Sequence, residues 1–280
     1  MFEGESFFLI HLFCFFGEVL MRWMRYTFQN ETHYGLVEGE RVQQVKGSPF
    51  ESFQVEDVFH QLKDVKIEIP VVPRTFYCAG LNYSEHVIEA AKKQGIEPVL
   101  PQKADMGYRA NNALIAHMEN VIIPKDATEK IHYEGELVVV IGKKAKHLTH
   151  QNALSCVLGY TIGNDVSERT WQRSDRTFWR SKNTDTFKPM GPWIDTSFKP
   201  DQAVTRVSVN AVETTVYKTN AMIFDVPTFL VEMTKYLTLW PGDVIWMGTD
   251  GSSPDLVSGD VVSIEISGLG RLQNTFVREA

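Results

Sequence analysis

Residues 131–146 read IHYEGELVVVIGKKAK, and this run constrains the chain more than any other. It predicts an apolar strand that begins with two glutamates, Glu134 and Glu136. Successive strand side chains point to opposite faces, so the two carboxylates project together, on the face that Val138 and Val140 continue. Two anions on one partly buried face repel each other and are costly to desolvate. Something must compensate them. Glu-x-Glu is common, and a solvated strand edge is its plainest explanation. A third carboxylate shifts the balance: Asp165 ends the run GYTIGND, where an apolar strand delivers a polar side chain to an edge. Three carboxylates meeting at one point would bind a hard divalent cation, and oxygen-only ligation selects Mg²⁺, Mn²⁺ or Ca²⁺ over zinc. Spacing does not show that the segments meet.

With 280 residues the chain has room for one large domain, or a main domain and a small one. A net charge of -7 argues against a nucleic-acid binder, which needs a basic face, but not against a small anionic substrate. Cys14, Cys78 and Cys156 are odd in number and form no C-x-x-C pair, which fits a reducing cytoplasm better than a disulfide framework. The run SFFLIHLFCFF near the start is too short to span a bilayer and lacks a basic n-region, having Glu3 and Glu5 instead. Translation starting at Met21 or Met24 explains it better than a membrane address.

Three segments are expected: an apolar extension over 1–23, a small strand-rich domain over 24–72, and a main domain over 73–280. Within the second, Glu38-Gly39 marks a hairpin turn. FYCAGLNYSEHVIEAAKKQG then predicts a strand, a polar turn and a helix ended by Gly95. Residues 96–113 lack periodicity, and ordered connectors of that length are often lids or binding loops. A helix is expected from Thr149, its cap, to Leu158. Asp225 and Pro227 open an amphipathic helix, and the tail alternates strands with turns. Strands outnumber helices without strict alternation, so the fold class is α+β, strand-dominated. No Walker A sequence is present, and SGLGRL lacks the third glycine of a dinucleotide fingerprint.

His86 and Glu89 lie three apart on the first expected helix and share a face. A carboxylate beside an imidazole raises its basicity and fixes its tautomer, as a general base requires, although an ordinary surface pair has the same spacing. Lys182 stands between aromatic and proline-rich text, where a plain surface lysine would also fit. Cys78 and Cys156 read as small buried residues. His117, His132, His147 and His150 show no paired ligand spacing and stay unassigned.

From about Phe76 to Arg278 the chain resembles the fumarylacetoacetate hydrolase family. GLNYSEHVIEA, HYEGELVVVIGK, GYTIGNDVSERTWQ, WRSKNTDTFKPMGPWI and GDVVSIEISGLGRLQN recur in the family's order. Each is weak by itself; the ordered set is specific. The resemblance implies a β-roll of packed mixed sheets assembled as a homodimer. It implies one Mg²⁺ or Mn²⁺ per chain on Glu134, Glu136 and Asp165, and a His86–Glu89 dyad that activates water. Lys182 would reach the substrate or an oxyanion, and Arg169, Gln172 and Thr249 would contact the substrate. One departure matters: many members read Gly-Thr-Pro-x-Gly where this chain has GTDGSSP, so Asp250 replaces a proline beside the expected pocket.

The expected activity is hydrolysis of a carbon–carbon bond in an acylpyruvate-like 1,3-diketo acid through a metal-stabilised enolate. Decarboxylation or isomerisation of an oxo-diacid, such as oxaloacetate or a 2-hydroxyhepta-2,4-diene-1,7-dioate, in aromatic catabolism is the alternative. A binding module with a structural ion is the third reading; it explains the carboxylates but leaves His86, Glu89 and Lys182 without a role. No nucleic-acid or membrane partner is expected.

Overall fold

The computed structural model describes residues 21–280, and the apolar run with Cys14 lies outside them. Strands dominate. From edge to edge the large sheet runs through Phe53–Gln61, Arg41–Gly47, Glu31–Glu38, Arg22–Phe28, Lys188–Asp195, Val157–Asn164, Gly135–Ile141, Val244–Trp246, Phe76–Ala79 and Met106–Tyr108. Its pairs are antiparallel along this path except where Val244–Trp246 runs parallel to Phe76–Ala79. A five-stranded sheet, from Val212–Lys218 to Asn120–Ile123, packs across it. Leu137, Val139 and Ile141 fill the layer between the sheets with Val207, Ile264 and Leu272. On the opposite face Val138 and Val140 join Trp246, Phe76 and Met190 in a second core. Strand periodicity thus gives one strand two apolar faces, and the fold is the strand-dominated α+β roll of mixed sheets expected from the sequence.

Strands from the first fifty described residues continue this sheet, since Trp23 pairs with Ile194. The turn at Glu38-Gly39 forms with Gly39 at a φ of 59°. Helix α1 (Ser84–Gln94) ends at Gly95 in the left-handed conformation that glycine tolerates. Two short helices follow, α2 (Arg169–Ser174) and α3 (Trp179–Asn183). Helix α4 (Val226–Tyr236) is capped by Asp225, whose carboxylate accepts the Thr228 N–H at 2.9 Å. Among the described residues no helix is long and apolar enough to cross a membrane.

The helix expected over 149–158 does not form. Asn152 Oδ1 accepts the Thr149 N–H at 2.8 Å, closing a turn instead of a helix start. A single 3₁₀ turn, Ala153–Cys156, then leads into the strand Val157–Asn164. The side chain of Asn152 competed successfully with the helical ladder.

Gly163 shows how closely the sheet is packed beside Glu136, its cross-strand partner. A Cβ there would lie 2.7 Å from the fully buried Trp246 ring. Gly163→Ala is expected to cost about 1–3 kcal/mol through overpacking, read as a lower urea midpoint at unchanged slope. An unchanged midpoint would mean that the ring has room to move.

Candidate metal centre and active site

The hairpin between Gly135–Ile141 and Val157–Asn164 assembles the carboxylates. Gly135 pairs with Asn164 and Glu136 with Gly163. Just past that ladder the Asp165 N–H donates to the Glu134 carbonyl at 2.9 Å, and Asn164 Oδ1 accepts the Glu134 N–H at 3.0 Å. Residues 134, 136 and 165 consequently share the face that Val138 and Thr161 continue. One oxygen from each of the three carboxylates lies within 4.8 Å of the others, and all three residues are buried.

Cations compensate two of the three. Asp165 is held by Arg109 at 2.9 Å, Lys182 at 3.1 Å and Lys188 at 2.7 Å. Burial would raise the Asp165 carboxyl, but these three hold it well below the usual carboxylate range. Glu134 meets Lys182 and, at 2.7 Å, Arg169. Burial is again outweighed, by Lys182 first, and Glu134 lies at about 2. Glu136 fares differently. Its close partner is the Gly248 N–H at 2.7 Å. Burial, then Asp165 and Glu134, push its carboxyl up to about 8. The cluster is short of positive charge at Glu136, and its donors are all oxygen. That donor set and that deficit fit a hard divalent cation, which Glu134, Glu136 and Asp165 would hold.

Arg109 and Lys188 were not singled out from the sequence. Arg109 follows the short strand Met106–Tyr108, inside the stretch expected to be a loop, and its guanidinium is nearly buried against Asp165. Lys188 sits on the strand Lys188–Asp195, fully buried, and donates to the Val166 and Phe187 carbonyls at 2.9 Å each. Burial, opposed by Asp165, pushes its ammonium down to about 8. A lysine inside an otherwise buried strand is the signal that would have found it. Cys78 lies close by, its thiol pushed up to about 11 by burial, in keeping with a small core residue.

Of the remaining expected residues, Lys182 and Arg169 touch the cluster directly. Lys182, on α3, is buried and bridges Glu134 and Asp165. Arg169 opens α2; besides Glu134 it donates to Gln172 Oε1 at 2.8 Å and to His132 Nδ1 at 3.1 Å. His132 also meets Asp255 at 2.9 Å through Nε2, so a histidine left unassigned supports the site from behind. Thr249 follows the strand Val244–Trp246 and Gly248, with its hydroxyl 3.4 Å from the Asp250 carbonyl.

His86, on α1, lies near enough to Glu134 to lower its carboxyl. Its ring meets the Gly251 carbonyl at 3.0 Å through Nδ1. A carbonyl only accepts, so Nδ1 carries a proton, and in the neutral ring it is Nε2 that keeps its lone pair. Glu89 is half-buried on the same helix, and no hydrogen bond or ion pair joins it to His86 among the described residues. The carbonyl of Gly251, and not Glu89, holds the imidazole tautomer here.

Comparison with known proteins agrees with this architecture. Residues 75–277 match the family model described as fumarylacetoacetate (FAA) hydrolase C-terminal, and residues 21–70 match the model described as Rv2993c-like, N-terminal. Protein Rv2993c of Mycobacterium tuberculosis is 37% identical over 221 residues, covering 78% of this chain and 81% of that protein. The 2,4-didehydro-3-deoxy-L-rhamnonate hydrolase of a Sphingomonas species is 35% identical, over 68% of this chain and 69% of its own length. Among solved structures, the 2-hydroxyhepta-2,4-diene-1,7-dioate isomerase of Mycobacterium marinum superposes with a TM-score of 0.83 at 32% identity, over 93% of this chain and 99% of that one.

Proposed function

The chain belongs to the fumarylacetoacetate hydrolase family, and we propose that within it the protein is a divalent-cation-dependent hydrolase of acylpyruvate-like 1,3-diketo acids. One observation carries this reading: a buried trio of carboxylates stands beside an imidazole whose Nε2 is available as a base. When bound, Mg²⁺ or Mn²⁺ would polarise the 2-oxo acid end of the substrate.

The chain's own residues supply the rest. His86 Nε2 takes a proton from water, and Glu89, on the same helix, helps to orient that water. The water oxygen bonds to the carbonyl carbon remote from the 2-oxo acid. The bond from that carbon to the neighbouring methylene then breaks, and its electron pair passes to the departing enolate. Lys182 stabilises the negative charge as it develops. The proton on His86 passes to the methylene carbon, which leaves a carboxylic acid and a 2-oxo acid. Arg169, Gln172 and Thr249 line the substrate side, and the active protein is a cytoplasmic homodimer.

A second reading has its own support, the similarity to an isomerase of an oxo-diacid. The same enolate, formed without water attack, leads to isomerisation or decarboxylation. A Mg²⁺/Mn²⁺ assay of the purified protein against acylpyruvates, oxaloacetate and oxo-diacids separates these. Divalent-dependent release of a carboxylic acid from an acylpyruvate is expected to dominate. Turnover of oxo-diacids only would transfer the proposal to the second reading, and no turnover of any would favour a structural ion.

A further inference from the structure

Helix α1 has no cap of its own. Its N-cap position is Tyr83, whose side chain makes no capping bond, and a helix start leaves several N–H groups without partners. The missing acceptor comes from 164 residues further along the chain: Asp250 Oδ1 accepts the His86 N–H at 3.0 Å. The same oxygen accepts the Gly251 N–H at 2.9 Å, which pins the turn at that point. Gly251 in turn offers its carbonyl to His86 Nδ1 at 3.0 Å. Two residues earlier than Asp250, the Gly248 N–H holds Glu136 at 2.7 Å.

We infer that Asp250 is a positioning residue: by capping α1 it locks His86 into one tautomer and sets that imidazole against the carboxylate cluster. Four residues, 248–251, grip a proposed metal ligand at one end and the proposed base at the other. The turn has little freedom to drift. Gly251 adopts a φ of +71°, and a Cβ there would come within 2.6 Å of Thr215 Cγ2. A negative side chain at a helix start also complements the helix dipole.

The catalytic part of this inference rests on the hydrolase reading; the structural part does not, and the test uses both. Asp250→Ala removes the acceptor, whereas Asp250→Asn keeps an Oδ1 in place and is as good a cap. In the metal-free full chain, ¹⁵N shifts of His86 are expected to report the Nδ1–H tautomer in wild type and Asp250→Asn, and a mixture in Asp250→Ala. Amide exchange at Glu85–Val87 is expected to quicken roughly fivefold in Asp250→Ala only, the factor a lost cap implies. With Mg²⁺ and an acylpyruvate, Asp250→Ala is expected to lose about 10²-fold in kcat with KM nearly unchanged, since a misplaced base is felt in the transition state. Asp250→Asn restores kcat. An Asp250→Ala protein with wild-type tautomer and exchange overturns the inference, as does an Asp250→Asn protein as impaired as the alanine variant. If wild type turns over no oxo acid, the hydrolase reading falls, and the tautomer and exchange measurements still decide the role of Asp250.

Discussion

Glu136→Ala is expected to abolish divalent-dependent turnover while the protein stays folded. Of the three clustered carboxylates Glu136 has the fewest close cationic partners, so a divalent ion gains most from it and the metal-free fold loses least when it goes. Mn²⁺ affinity should fall by more than about 100-fold, beyond the 10–100-fold typical of a residue one shell further out. Calorimetric titration checks this, and unchanged affinity would remove Glu136 from the ligand set. The metal-free protein also carries a pH signature. Glu136 ionises near 4.5 when unfolded and at about 8 when folded, so between these values the folded state holds the extra proton. Stability is then fully present below about 4.5 and is lost as pH rises towards 8. Glu134 and Asp165 act in the other window: their depressed values contribute stability above the ordinary carboxylate range, lost as pH falls through about 2 for Glu134 and below the usual range for Asp165. Lys188 stays protonated in both states until about 8, so its burial cost is constant and adds no pH dependence below that. Glu136→Gln should therefore flatten the melting temperature between pH 5 and 8, and saturating Mn²⁺ should do the same for wild type. A wild-type metal-free melting temperature that rose across that window would contradict the assignment.

What the sequence disclosed follows the range of the forces involved. The shared face of Glu134 and Glu136 was legible because strand period is local, whereas the burial of the other face, with Leu137, Val139 and Ile141, emerged only from the packing of the second sheet. Asp165 was legible as a polar residue ending an apolar run. Their meeting was not, because it depends on the pairing of Gly135 with Asn164, 29 positions apart in the chain. Arg109 and Lys188 answer the question of what compensates the carboxylates, yet they reach Asp165 from 56 residues before it and 23 after it, with no local pattern to mark them. The 149–158 segment failed for the opposite reason. Thr149 is a good cap by type, but Asn152 offered its backbone a nearer partner than a helix would. For His86 the helix was read correctly, while the group that sets its tautomer comes from the turn after Val244–Trp246. Local periodicity gave the elements, and partners distant in sequence gave the electrostatics.

His86→Ala separates the two reactions that the site can support. Hydrolysis needs an activated water, whereas decarboxylation mainly needs a stabilised enolate. Loss of the imidazole should lower hydrolytic turnover by roughly 10²–10⁴-fold, the range of a missing general base. The helix should survive, because the bond from residue 86 to Asp250 uses the backbone N–H and not the ring. Divalent affinity should survive as well, since the carboxylates of Glu134, Glu136 and Asp165 are untouched. The Glu134 carboxyl stays ionised without His86, because Lys182 and Arg169 contribute more to holding it down. Oxaloacetate decarboxylation, where the protein performs it, should fall less than hydrolysis, as no water attacks. Both activities and Mn²⁺ affinity, measured on wild type and His86→Ala, give the answer in one series. Equal losses in both reactions would assign His86 to enolate formation or substrate placement instead of water activation. Unchanged hydrolysis with lost Mn²⁺ binding would remove it as the base and make it a support of the metal centre.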